Sequence, residues 1–163
     1  MMKLLNKKQK NNGGFSLVEL IVVIAIMVVL VAVLAPIFTK YIESSRRSTD
    51  VQNANAIAEA VLADVADGKF AKGATTDQGR VVSGTEPGKG DDNNYLPSAI
   101  AKAPEVKGNV VANATNFRFV YHPGSNECDV FVNGDSKFNL AIEGTDTTGA
   151  TGYKNADKGA GGE

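Results

Sequence analysis

Glu19 is the lone carboxylate in an otherwise apolar run from Phe15 to Phe38, and Gly13-Gly14 stand immediately before that run. An ionised acid near the centre of a membrane helix costs about +2.5 to +3.5 kcal/mol, whereas each Val, Ile or Leu returns roughly 0.3 to 0.6 kcal/mol. The run holds fifteen Val, Ile and Leu residues. Insertion into a bilayer therefore wins despite Glu19, which lies near one end and can reach toward headgroups. A charge kept at such depth points to a task.

The remaining chemistry-bearing residues form no constellation. Cys128 is the only cysteine, so no intrachain disulfide exists, and it reads as a small inward-facing hydrophobe. His122 is the only histidine, set just before Pro123 with no second histidine or thiol to join it. Gly88-Lys89 lacks the spacer and the following Ser or Thr of a phosphate loop. Asp91-Asp92-Asn93-Asn94 offers hard oxygens suited to Ca²⁺ but lacks EF-hand spacing, and a solvated turn is the simpler reading. Asn113-Ala114-Thr115 is a glycosylation sequon by letter only. No catalytic residue, metal ligand set or cofactor site emerges, and the chain reads as a non-enzyme.

Phe15 to Phe38 is 24 residues. As a helix it spans about 36 Å, enough to cross a bilayer with some tilt. Lys3, Lys7, Lys8 and Lys10 precede it with no acid among them, which places residues 1–14 in the cytoplasm and the C-terminal bulk outside. Lys40, Arg46 and Arg47 follow the span, diluted by Glu43 and Asp50. A secretory signal peptide shares the basic start and apolar core but has a shorter apolar region. Its best cleavage site here, Val33-Leu34-Ala35, would set Pro36 beside the cut, where the fixed φ and missing N–H suit a protease poorly. A plain single-span anchor is the other competitor.

The basic leader, Gly14, Phe15, a small residue, two apolar residues, Glu19 and the long apolar helix together resemble the N-terminus of a type IV prepilin. Pro36, twenty-two residues after Gly14, agrees with a proline found in many pilins. The resemblance covers roughly Lys3 to Ser48. It implies cleavage between Gly14 and Phe15 by a membrane-embedded prepilin peptidase and N-methylation of the new amine on Phe15. It also implies that the helix stays with the mature chain. Glu19 then has a natural partner in the cationic Phe15 amine of a neighbouring subunit, since a buried charge is tolerable only when paired. The helix is apolar on every side from Leu20 to Ala35 and must be buried all round, in lipid or among like helices. Pro36 removes a hydrogen bond to Ala32 and predicts a kink or short unwound stretch between those residues. Many Gram-negative type IV pilins close a C-terminal loop with a cysteine pair; the lone Cys128 departs from that pattern and favours a Gram-positive pilin or a pseudopilin.

The elements that would carry this segment follow from periodicity. Val51, Ala54, Ala58, Val61 and Val65 recur at helical spacing, widened by Ile57 and Leu62, with Asp50, Asn53, Glu59 and Asp64 expected mostly on the opposite face. Gly68 is a helix stop. Lys69 to Asn94 reads as mostly loop, with a short strand around Arg80 to Ser83 and a segment at Tyr95-Leu96-Pro97 and Ile100 laid over the sheet. Asn116 to Tyr121, Asp129 to Asn133 and Phe138 to Ile142 read as strands of an antiparallel meander, joined by turns at Pro123-Gly124-Ser125-Asn126 and Gly134-Asp135. The fold class is α+β: one long N-terminal helix, part transmembrane and part amphipathic, packed on a small antiparallel sheet. The expected organisation is a leader at 1–14, a membrane or filament-core helix at 15–38 and an amphipathic helix at 39–68. A globular head at 69–142 and a mobile Gly- and Thr-rich tail at 143–163 complete it.

The chain carries 17 basic and 18 acidic residues, and loss of the four leader lysines would leave the mature form near −5. That balance argues against a generally basic, nucleic-acid-binding surface. The resemblance implies a structural subunit of a type IV pilus, partnered by identical and related pilin subunits, by prepilin peptidase and by pilus assembly machinery. Its precursor would sit in the cytoplasmic membrane and its polymer at the cell surface, with adhesion, twitching motility or DNA uptake as roles. The alternative is a pseudopilin of a type II secretion or competence system.

Overall fold

The computed structural model describes residues 14–109, 115–132, 138–140 and 145–146. Helix α1 runs Leu17–Ala66. Among the described residues seven strands follow: β1 Gln78–Val82, β2 Lys89–Gly90, β3 Asn94–Leu96, β4 Phe117–His122, β5 Glu127–Val132, β6 Phe138–Asn139 and β7 Thr145–Asp146. The chain divides into two compact units, residues 1–39 and 40–163.

In the first unit, helix α1 has nothing over it. Every large hydrophobic side chain from Leu17 to Phe38 exposes between 47 and 72% of its surface. Pro36 lies inside the helix, which is unbroken around it. The unwound stretch expected between Ala32 and Pro36 is absent. A proline φ near −65° is itself helical, so the ring removes one hydrogen bond without requiring the turn to open. Thr39 Oγ1 donates to the Pro36 carbonyl at 3.0 Å.

In the second unit, Lys40–Ala66 of α1 contributes to a core shared with one sheet of order β2-β3-β1-β4-β5-β6-β7. The strands pair antiparallel except β1 with β3, which run parallel through Val81↔Asn94 and Val82↔Tyr95. Period-two alternation sets the packing. Phe117, Phe119 and Tyr121 of β4 and Cys128, Val130 and Val132 of β5 are buried, joined by Ala54, Ile57 and Val61 of α1. Phe70 supplies the aromatic link, its ring centroid 4.6 Å from Tyr95 and 5.3 Å from Phe119 in an edge arrangement. The segment at Tyr95-Leu96 does not lie over the sheet. It is strand β3 within it, because both side chains enter the core. The hairpin that brings it there needs glycine at 90: a Cβ would run into the Asn94 carbonyl oxygen and the Tyr95 Cα. The turn expected at 134–135 lies outside the described residues. Within 143–163, expected to be mobile, Thr145–Asp146 forms β7 against β6, and the rest is outside the described residues.

Gly68 ends the helix with φ +68°. Its N–H bonds the Val65 carbonyl at 3.0 Å and the Lys69 N–H bonds the Asp64 carbonyl at 2.8 Å, the paired bonds of a Schellman cap. The polar face of the helix departs from the expected pattern. Asp50 and Asp64 do not face away; they are 0% and 2% exposed. Asp50 accepts from the N–H groups of Lys107 and Gly108, both at 2.7 Å. Asp64 accepts from the Tyr95 hydroxyl at 2.8 Å and the Ser98 N–H at 2.7 Å. About two turns before Asp50, Glu43 accepts from the Asn109 N–H at 2.6 Å and from Arg47 Nε at 3.0 Å. These carboxylates bind loop backbone that no strand satisfies, which is what a buried N–H requires. Burial and the Asp64 hydrogen bond hold the Tyr95 phenol well above its ordinary pKa, so it stays a donor to Asp64.

Replacing Asp50 by Ala leaves the Lys107 and Gly108 N–H groups without that acceptor. Chemical denaturation monitored by near-ultraviolet circular dichroism should show a loss of about 2–3 kcal/mol, well beyond that of Glu59→Ala on the exposed face.

Candidate functional site

The candidate site is the junction between Gly14 and the first turn of α1. Residues 14–16 are non-helical and exposed, and Phe15 presents 93% of its surface. A Cβ added at Gly14 would meet nothing within 4 Å among the described residues. The fold places no demand for glycine there.

Ser16 and Glu19 start the helix. The Ser16 N–H donates to Glu19 Oε2 at 2.8 Å, and Ser16 Oγ accepts from the Val18 N–H at 3.4 Å. Ser16 is the N-cap and Glu19 is the third helical residue, so the pair forms a capping box. A negative charge in the first turn also complements the helix dipole. Glu19 therefore has a hydrogen-bond partner inside its own chain. The Ser-x-x-Glu spacing is legible in the sequence, yet reading Ser16 merely as a small residue hides it. The structure gathers Gly14, Phe15 and Glu19 at this junction. Pro36 lies seventeen residues beyond Glu19, about 25 Å along the helix axis, and takes no part in it.

The other residues of interest belong to the second unit and have local tasks. Cys128 is buried and faces inward; burial and the nearby Asp129 push its thiol up to about 12, which leaves it protonated and unreactive. Asp91 accepts from the Asn93 and Asn94 N–H groups at 2.8 and 2.7 Å, and these bonds lower its pKa. Asp91 Oδ1 is thus used to close a turn, and among the described residues no group of three or more His, Cys, Asp or Glu is placed to hold a metal. His122 sits against Asp77 and Asp129, contacts that its isolation in the sequence gives no sign of.

A family model described as the prokaryotic N-terminal methylation motif matches residues 9–35. The chain carries a prepilin-type N-terminus. It is also 43% identical over 54 residues to prepilin peptidase-dependent protein A of Clostridium perfringens (strain 13 / Type A). That match covers 33% of this chain and 39% of the relative, so the chain spans about two fifths of the length of the curated relative it matches. No solved structure matches the chain. The prepilin-type segment includes a helix long and apolar enough to cross a membrane, with none of its most apolar window buried.

The capping box makes a specific demand. Glutamine retains the reach and the acceptor oxygen, so Glu19→Gln should leave amide exchange in the first turn within about twofold of the parent in detergent micelles. Ser16→Ala and Glu19→Ala should each accelerate it roughly fivefold, the equivalent of about 1 kcal/mol of cap.

Proposed function

We propose that this chain is a structural subunit of a type IV pilus that polymerises through α1 after cleavage between Gly14 and Phe15. The observation that carries the reading is a helix with apolar surface exposed on all sides, a single acid in its first turn and an unencumbered peptide just before it. The described residues leave room for a side chain at Gly14, which supports reading the glycine as a requirement of the processing enzyme. The dependence on prepilin peptidase for which the Clostridium perfringens relative is named supports the same enzyme here. Cleavage converts the Phe15 nitrogen into an amine one residue from the Glu19 cap. In the precursor the peptide leaves Glu19 with only neutral donors; after cleavage a cation is available, and the Phe15 amine of a neighbouring subunit is the partner this reading assigns to it.

In this reading the chain begins in the cytoplasmic membrane with residues 1–14 inside and ends in a surface filament of like subunits. It is an assembly component, not an enzyme. A pseudopilin of a type II secretion or competence system shares every step up to assembly, and the lone Cys128 is compatible with either. Sheared surface fibres composed mainly of this chain distinguish the pilus subunit from the pseudopilin.

The test separates charge from cap. Glu19→Gln should insert and be cut normally, yet give no fibres by electron microscopy, because an unpaired buried amine costs about 3–5 kcal/mol per interface. Abundant fibres from Glu19→Gln would refute the ion pair as the assembly determinant.

A further inference from the structure

His122 closes β4 on the sheet face opposite Tyr121, which enters the core. Its Nδ1 lies 3.0 Å from Asp77 Oδ1, and its Nε2 lies 3.4 Å from Asp129 Oδ2. Asp77 leads into β1, which pairs with one side of β4, while Asp129 is on β5, which pairs with the other. Glu127 stands opposite His122 in the β4·β5 register, and Arg118 lies four residues back on its own strand face. The histidine is therefore faced from both neighbouring strands by carboxylates, with one cation further along its own strand.

A neutral imidazole has one N–H donor and one lone-pair nitrogen, whereas an imidazolium donates from both. The neutral ring can satisfy one of the two aspartates; its other nitrogen then sets a lone pair against a carboxylate. We propose that His122 is a proton-operated staple that joins the entry of β1 to β5 across the end of β4 and lets one side go when it loses its proton. The neutral ring keeps its shorter contact to Asp77 and gives up Asp129, so the tie from β1 no longer reaches β5 and ends on a side chain free to turn; the part loosened is the start of β1, where Gln78 pairs with Tyr121 and Gly79 with Val120.

The hydrogen bond to Asp77, and the charges of Asp77 and Asp129, hold the imidazole above its ordinary 6.5, against a smaller opposing effect of burial. The sign follows from linkage. A group whose pKa is raised in the folded state contributes stability fully below its unfolded pKa, here near 6.5, and that contribution fades as pH climbs through the folded value. The staple is thus closed in mildly acidic surroundings and open in alkaline ones. Asp77 is 64% exposed and the ring 31% exposed, so the effect is local and does not unfold the unit.

Because the chain has a single histidine, one resonance reports it without ambiguity. The experiment uses the full-length chain in detergent micelles with ¹³C-labelled histidine, titrated by NMR, alongside hydrogen exchange at Gln78 and Gly79 corrected for intrinsic pH dependence. The expected midpoint lies above 6.5. Asp77→Asn should lower it by about one pH unit and Asp129→Asn by less. Protection at Gln78 and Gly79 should fall severalfold across the same midpoint, and His122→Gln should abolish that step. A midpoint at or below 6.5, or one that neither Asp variant moves, overturns the proposal. So does exchange at β1 that shows no step across the titration.

Discussion

An apolar helix surface left bare among the described residues is the constraint on which the rest of this molecule depends. From Leu17 to Phe38 no side of α1 is polar enough to face water, and nothing in the first unit covers it. Such a segment must find an apolar solvent, and only lipid or other helices of the same kind provide one. The basic residues ahead of it, the accessible Gly14–Phe15 peptide and the single acid in the first turn are all arranged around that requirement. Glu19 is the point where the requirement is relaxed: its carboxylate is held by the Ser16 N–H, so the charge is partly satisfied without leaving the helix end.

The second unit solves a different problem with the same kind of residue. Its sheet is assembled from short strands, and the loops between them leave backbone donors that no ladder satisfies. Asp50, Asp64 and Glu43 meet those donors from the helix. Each carboxylate is acceptable in its surroundings because backbone N–H groups or a phenol donate to it. The helix thus contributes apolar side chains to the core and acidic side chains to the loops, and the Schellman cap at Gly68 turns the chain back so that Phe70 enters the aromatic cluster.

The sequence discloses the elements that rest on local periodicity or composition. The apolar run, the Gly68 stop, the β4–β5 hairpin with its turn at 123–126 and the inward Cys128 all follow from spacing or residue type. What it conceals is long-range pairing. Asp50 and Asp64 look like surface residues because acids at such positions usually are; their burial depends on donors at 95, 98, 107 and 108, some thirty to sixty residues away. The parallel β1·β3 pair is hidden for the same reason, since Asn94–Leu96 is too short to announce itself as a strand. Of the candidate site, the Gly14–Phe15 junction and the lone acid Glu19 are legible. The capping role of Ser16 is legible only to a reading that looks for Ser-x-x-Glu ahead of an apolar run. The bracketing of His122 by Asp77 and Asp129 is not legible at all, being a product of sheet register.

The account stands on one covalent event, because only a cut before Phe15 leaves the apolar helix attached while creating a cation beside Glu19. Intact-mass spectrometry of the protein recovered from its native cell envelope tests this directly. The predicted species begins at Phe15 and carries one additional methyl group on its amine. A chain that retains residues 1–14, or one that begins beyond Ala35, would contradict the account.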